Sequence, residues 1–329
     1  MCRTVTYTTV ESLLCEEKVS FIETGGLSWP VRNLSKLIRN LAEQDPARVL
    51  ISFSSSVATS KDMDAKVVVF YFAWAMIATG LVTFVTTLAI KAPYGRYSAD
   101  KGWGLLLPAR FAWFVMESPN LWISMIVGLH YSNAKCLSSR ANTVLLGLFL
   151  LHYVNRAVVY PLRMRRDASP MPISVTALAF LYCCWNGSLQ ALSLLVVNPL
   201  PDSWLTDPRF LVGISLFFAG LTCNMVSDGQ LQALREDPNK KSGALVRSST
   251  RYKIPHGGAF EWVSCANYSG EILEWTGFAI ASWSVPALAF AVFTFCNLAP
   301  RAHHHHLWYL EKFREDYPKA RRAVIPFIW

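Results

Sequence analysis

The chain has 329 residues, of which 53% are hydrophobic and only 16% charged, with a formal net charge of +9 at pH 7. Soluble domains carry roughly 25% charged residues, so this composition excludes an ordinary water-soluble fold and requires apolar segments that never meet water. In such a chain the positive balance points to basic loops on one membrane face and away from nucleic acid.

Residues 1–66 are mixed and polar, and they read as an N-terminal extension without recognisable chemistry. Glu11, Glu16 and Glu17 interrupt any signal-peptide core, so the first long apolar run, from Val67, is expected to act as an uncleaved insertion signal. A short amphipathic helix is plausible around Leu34 to Leu41, and Asn33-Leu34-Ser35 is a glycosylation sequon.

From there the pattern predicts seven helical spans near 67–90, 106–130, 141–162, 171–198, 209–231, 259–281 and 283–302. Val67 to Ile90 carries no charge and is long enough for a hydrocarbon core about 30 Å thick. Residues 67–329 are therefore expected to form an all-α, polytopic bundle of seven transmembrane helices. Basic residues follow the odd spans: Lys91, Arg96 and Lys101, then Arg163, Arg165 and Arg166, then Arg235 to Lys253, then the C-terminal segment. The alternate loops are poorer. This bias places the basic loops and the C-terminus in the cytosol and the N-terminus on the other side.

The eight cysteines include no CxxC pair and read as small buried hydrophobes. The run His303 to His306 could attract a metal, but no second histidine box accompanies it, so no metal is expected. There is neither a GxGxxG motif after a strand nor a P-loop, so a nucleotide would be held by side chains between helices and by basic loops.

Polar groups inside the spans carry the chemistry, because each charge at a helix centre costs about 2.5–3.5 kcal/mol. Span two holds Glu117 just before Pro119. Glu117 either faces a cavity or is a helix-end carboxylate paired with Arg110. In span three Tyr153, Arg156 and Tyr160 share one face; the alternative is an interfacial arginine reaching for headgroups. In span five Asn224, Asp228 and Arg235 share a face, which could also be a helix end leaving the membrane. In span six Asn267, Glu271 and Glu274 form a polar stripe best read as a cavity lining.

Several separated motifs carry a resemblance. Tyr252 to Phe260 (YKIPHGGAF), residues 263–268 (VSCANY), 270–275 (GEILEW), 303–313 (HHHHLWYLEKF) and 316–329 (DYPKARRAVIPFIW) resemble the signature of the steroid 5α-reductase family. Upstream, FAWFVMESP (111–119), LLGLFLLHYVNR (145–156) and the Asn224–Asp228 pair stand in matching order. The resemblance covers roughly residues 67–329. It implies a seven-helix bundle in the endoplasmic reticulum membrane that uses NADPH, approached from the cytosol, to reduce the Δ4 double bond of a 3-oxosteroid. Hydride would go to C5 and a proton to C4. It also implies roles for particular residues: Tyr153 and Glu117 as donors to the carbonyl oxygen, and Met116 and Trp113 beside the substrate. Asn224, Asp228, Arg235, Asn267, Glu271, His305, Tyr309 and Arg321 would hold the cofactor, with Arg235 and Arg321 suited to its phosphates.

Three positions depart from the family. Met116 stands where mammalian members have Gln, and plant-type members are similar to this chain there. Lys253 replaces an Arg, which keeps the charge but loses a two-pronged donor, and Leu307 replaces a basic residue. Related branches of the same superfamily reduce enoyl-CoA thioesters or polyprenols. A non-enzymatic sterol-binding protein on the same scaffold is a further alternative.

Overall fold

A computed structural model of the protein describes residues 61–91, 104–131, 139–234 and 252–329. The sequon, the expected helix near Leu34, Arg235 and most of the basic loops lie outside the described residues. Helices occupy all seven expected stretches. They are α1 (Lys61–Ala89), α2 (Ala109–Glu117), α3 (Pro119–His130), α4 (Arg140–Val154), α5 (Tyr160–Arg163), α6 (Ile173–Leu192), α7 (Pro208–Leu234), α8 (Ala266–Ser282) and α9 (Val285–Phe313). A two-residue antiparallel ladder joins β1 (Leu106–Leu107) to β2 (Met171–Pro172).

Among the described residues five segments are long and apolar enough to cross a membrane: Ala65–Ala89, Arg140–Arg163, Ile173–Val197, Pro208–Leu234 and Val285–Asp316. The other two stretches are shorter. α8 has 17 residues, and the second span divides into pieces of 9 and 12. The helices are apolar on the outside as well as within: Tyr71, Val82 and Val85 of α1 and Val212 and Val226 of α7 are all exposed. Water would penalise such a surface and lipid would not, so the architecture is that of an all-α, multi-pass membrane protein.

The boundaries correct the sequence reading in three places. The expected single helix over 106–130 begins as a strand and breaks at Ser118. Pro119 has no N–H to give to the Val115 carbonyl, and the Ser118 hydroxyl donates to that oxygen instead, at 3.2 Å. Glu117 is therefore the last residue before the break. The sixth span begins at Ala266 and not near 259, because Gly257 and Gly258 take positive φ values (87° and 58°) and residues 262–265 pair with the C-terminal segment. Ser264 and Cys265 donate to the carbonyls of Arg322 and Ala323, and Arg322 donates back to Trp262. The seventh helix runs on to Phe313, carrying the four histidines on a helix.

Two helices widen into a π-turn at Asn155–Val159 and Ser193–Val197. Such turns often accompany functional sites, and the first one carries Arg156 inward, where it is buried.

Helices gain little from hydrophobic association in lipid, so close approach of small residues decides which ones pack. α7 and α8 meet through Gly213, Gly220, Gly270 and Gly277. A Cβ on Gly220 would lie 2.3 Å from the Glu274 amide nitrogen, and one on Gly270 2.4 Å from that of Asn224. Only glycine fits, and the contact sets Asn224 and Asp228 of α7 directly against Asn267 and Glu271 of α8. Behind them Phe149, Phe217, Trp275, Phe278 and Phe290 form an aromatic core, with Trp275 and Phe290 ring centroids 4.2 Å apart.

Candidate active site

One cavity of about 980 Å³ runs through the bundle. That is at the upper end of the roughly 300–1,000 Å³ typical of small-molecule sites, so it has room for more than one small ligand. Glu117, Trp113 and Met116 of α2, and Tyr153, Arg156 and Tyr160 at and beyond the end of α4, line one side. Asp228 of α7, Asn267 and Glu271 of α8, and His305 and Tyr309 of α9 line another. Nine of the residues named from the sequence, from five separate stretches of chain, thus share one wall or the other: Trp113, Met116, Glu117, Tyr153, Asp228, Asn267, Glu271, His305 and Tyr309.

Arg156 joins the two walls. Its guanidinium lies 3.1 Å from Asp228 Oδ2 and 3.1 Å from Glu271 Oε2, and all three side chains are largely buried. The rings of Trp113 and Tyr160 flank it at 4.9 and 5.0 Å. A buried cation held by two carboxylates and two aromatic faces is not one reaching for headgroups, so the interfacial alternative is excluded. Asn267 Nδ2 donates to Asp228 Oδ1 at 2.9 Å. Asn224 is fully buried behind this group and absent from the cavity wall; its Nδ2 donates to the Asn267 carbonyl at 2.9 Å and reaches Glu271 Oε2 at 3.3 Å.

Glu117 is not paired with Arg110, whose guanidinium donates to the Met164 carbonyl. Its neighbour is the Cys183 thiol, 3.6 Å from Glu117 Oε2. Tyr153 is buried with its ring against Phe149 at 4.7 Å and His152 at 5.0 Å, and its hydroxyl accepts from Asn186 Nδ2 at 3.1 Å. The carboxyl and the phenol thus meet one cavity from different helices, each in apolar surroundings where a hydrogen bond to a ligand oxygen is strong.

Glu274 corrects the stripe reading. It is fully buried and does not line the cavity; its Oε1 lies 2.8 Å from Nδ1 of the equally buried His152. The helical period puts Glu274 on the same face as Asn267 and Glu271, but α4 covers that end of the face. Arg321 also lies off the cavity. It is buried, donates to the Pro255 carbonyl at 2.8 Å, and reaches His256 and Glu261 at 3.3 Å. The Gly257 amide, donating to Glu261 at 2.5 Å, and the Arg321 guanidinium beside it hold the Glu261 carboxyl below the usual carboxylate range. Arg321 therefore braces the 255–261 loop. Among the described residues, the cations on the cavity wall besides Arg156 are Arg165, Lys253 and Arg301.

The histidine run is dispersed by its helix, since successive side chains point about 100° apart. His304 Nε2 meets the Thr87 carbonyl at 2.9 Å, His306 Nδ1 meets Ser264 Oγ at 2.6 Å, and His305 alone of the four lines the cavity. Sequence reasoning missed a further part of the wall. Thr79, Thr83, Thr86 and Thr87 of α1 line it, each hydroxyl donating to a carbonyl one turn back, for example Thr83 to Thr79 at 2.8 Å. Their spacing in a charge-free helix was the available signal. It also missed the buried amides Asn186 and Gln190, which lie beside Tyr153 and behind the wall in a stretch that reads only as apolar.

A fold of apolar helices around one cavity, with donors on one wall and a paired polar network on the other, is that of a membrane enzyme acting on an apolar substrate. A family model described as 3-oxo-5-alpha-steroid 4-dehydrogenase matches residues 169–329. The chain is 45% identical over 252 residues to 3-oxo-5-alpha-steroid 4-dehydrogenase 1 of Bos taurus, covering 76% of this chain and 93% of the relative. It is 43% identical over 257 residues to the Homo sapiens protein of that name (78% and 94%). It is also 41% identical over 259 residues to the steroid 5-alpha-reductase DET2 of Gossypium hirsutum (76% and 93%). The protein belongs to the 3-oxo-5α-steroid 4-dehydrogenase, or steroid 5α-reductase, family. It is accordingly an oxidoreductase acting on CH–CH groups, of a kind that uses a nicotinamide cofactor.

Proposed function

We propose that this protein reduces the Δ4 double bond of a 3-oxosteroid to the 5α product with NADPH, as a seven-span protein of the endoplasmic reticulum membrane with a cytosolic C-terminus and its reductase domain in residues 67–329. The observation that carries the reading is the convergence of Glu117 and Tyr153 on the cavity whose other wall is Asp228, Asn267, Glu271, His305 and Tyr309.

The donor set suits a nicotinamide dinucleotide. Carboxylates and amides stand at membrane depth for the polar nicotinamide and ribose, and Lys253, Arg301 and Arg165 supply positive charge for phosphates without a glycine-rich loop. Asp228, Asn267, Glu271, His305 and Tyr309 would hold the cofactor, with Asn224 fixing Asn267 and Glu271 from behind. Arg235 remains part of the proposed set, and Arg321 acts through the loop it braces. NADPH, when bound, supplies a hydride to the far carbon of the enone, C5.

The chain's own residues act at the other end of the conjugated system. As C5 gains its hydride, the electron pair moves toward the 3-oxo oxygen. The Tyr153 hydroxyl and the protonated Glu117 carboxyl donate hydrogen bonds there, where negative charge develops only in the transition state. The charge returns to carbon as C4 takes a proton, and the ketone is restored. Trp113 and Met116 shape the apolar surface beside the substrate, and the surrounding helices exclude water.

Microsomes containing the protein, given NADPH and a panel of 3-oxo-Δ4 steroids, an enoyl-CoA thioester and a polyprenyl enone, test the assignment by mass spectrometry of products. A 5α-reduced steroid is the expected result. Reduction of the thioester or polyprenyl compound alone would move the protein to another branch of the superfamily.

A further inference from the structure

Tyr153 can polarise a carbonyl only if its hydroxyl hydrogen points into the cavity, and a buried chain of amides beside it decides that direction. The Pro286 carbonyl can only accept a hydrogen bond, and Gln190 Nε2 lies 2.9 Å from it. That contact fixes which end of the Gln190 amide carries hydrogens. The second Nε2 hydrogen goes to Asn186 Oδ1 at 3.2 Å, which fixes the Asn186 amide in turn. Asn186 Nδ2 then donates one hydrogen to the Tyr153 hydroxyl oxygen at 3.1 Å and the other toward Asn120 Oδ1 at 3.4 Å. All four amide hydrogens of the two side chains are used. Gln190, Asn186 and Asn120 are at most 1% exposed and lie off the cavity wall, so water does not offer these amides alternative partners.

We propose that Asn186, oriented by Gln190 against the Pro286 carbonyl, is the positioning residue that forces the Tyr153 hydroxyl to act as a donor toward the cavity. Because Asn186 presents only N–H to the phenol, the phenol oxygen accepts there and its own hydrogen must go elsewhere. The same N–H stabilises the charge left on the phenol oxygen as its proton moves toward the substrate. The proposal rests on the donor role of Tyr153 given above.

The decisive variant is Asn186→Asp, which keeps size and shape but turns the donor into an acceptor. Tyr153 would then spend its hydrogen on Asp. The expected result is a kcat lower by roughly a hundredfold, the scale of a lost proton donor, with KM for the steroid and NADPH binding unchanged. A double-mutant cycle separates positioning from mere packing. In a Tyr153→Phe background, Asn186→Asp should cost nothing further. An equal loss in both backgrounds, or wild-type kcat in Asn186→Asp, overturns the proposal. If Asn186→Asp does not accumulate as folded protein, Gln190→Met removes the orienting amide without adding charge, and it should lower kcat only where Tyr153 is present; an undiminished kcat contradicts the proposal. Full turnover by Tyr153→Phe alone would instead overturn the donor role beneath it.

Discussion

The two walls of the cavity are built on opposite principles. The α7–α8 wall is polar and internally paired: Asp228 and Glu271 share Arg156, Asn267 is tied to Asp228, and Asn224 ties Asn267 to Glu271. Four glycines hold its backbones in contact. The wall of Glu117 and Tyr153 is apolar and its polar groups are sparse, with a thiol beside one and a single amide beside the other. A paired network gives a fixed, charged surface suited to holding a polar cofactor in register. Sparse donors in apolar surroundings interact weakly with each other and strongly with an oxygen that becomes negative. The contrast teaches that binding and chemistry are separable here, and mutations should separate them.

The largest effect is expected on the sparse wall. Tyr153→Phe and Glu117→Gln should each lower kcat by about 10²–10⁴-fold, read in steady-state assays, while the protein remains folded. On the paired wall the effect should be on folding and binding. Arg156→Met strands Asp228 and Glu271 as buried charges, at a cost of about 3–5 kcal/mol, visible as poor accumulation and a lower melting temperature in detergent. Arg156→Met combined with Asp228→Asn and Glu271→Gln should recover part of that stability.

The next effect is steric. Gly270→Ala drives a methyl into the Asn224 backbone, and overpacking of this kind costs about 1–3 kcal/mol. It should weaken cofactor binding along with stability, whereas alanine at Gly147, where a Cβ meets nothing within 4 Å, should be neutral. The smallest effect concerns the 255–261 loop. The Glu261 carboxyl is held below its usual range in the folded protein, so its contribution is present at neutral pH and lost as pH falls through that range. Glu261→Gln should flatten the acid side of a melting-temperature profile and change little at pH 7.

Much of this contrast was legible in the sequence. Apolar runs located the helices, and charged or polar groups inside them marked Glu117, Tyr153, Asp228, Asn267 and Glu271. Pairing between helices was not legible. Helical period placed Glu274 with Glu271, but only the approach of α4 reveals His152 as its partner. Arg321 sat in a basic tail that suggested phosphates, and the backbone ladder between 262–265 and 322–323 turns it toward the loop. The break at Pro119 was foreseeable from proline's missing donor, whereas the start of α8 depends on tertiary hydrogen bonds. Glycines at 213, 220, 270 and 277 carry no hydrophobic signal, yet they set the geometry of the polar wall.

The central claim is that one wall holds the cofactor while the other performs the carbonyl chemistry. Measuring NADPH affinity and steroid turnover side by side on purified wild-type protein and Tyr153→Phe tests it most directly. The account predicts unchanged NADPH affinity with turnover reduced at least a hundredfold, on the scale of a lost donor. Retained turnover, or affinity and turnover falling together, would contradict it.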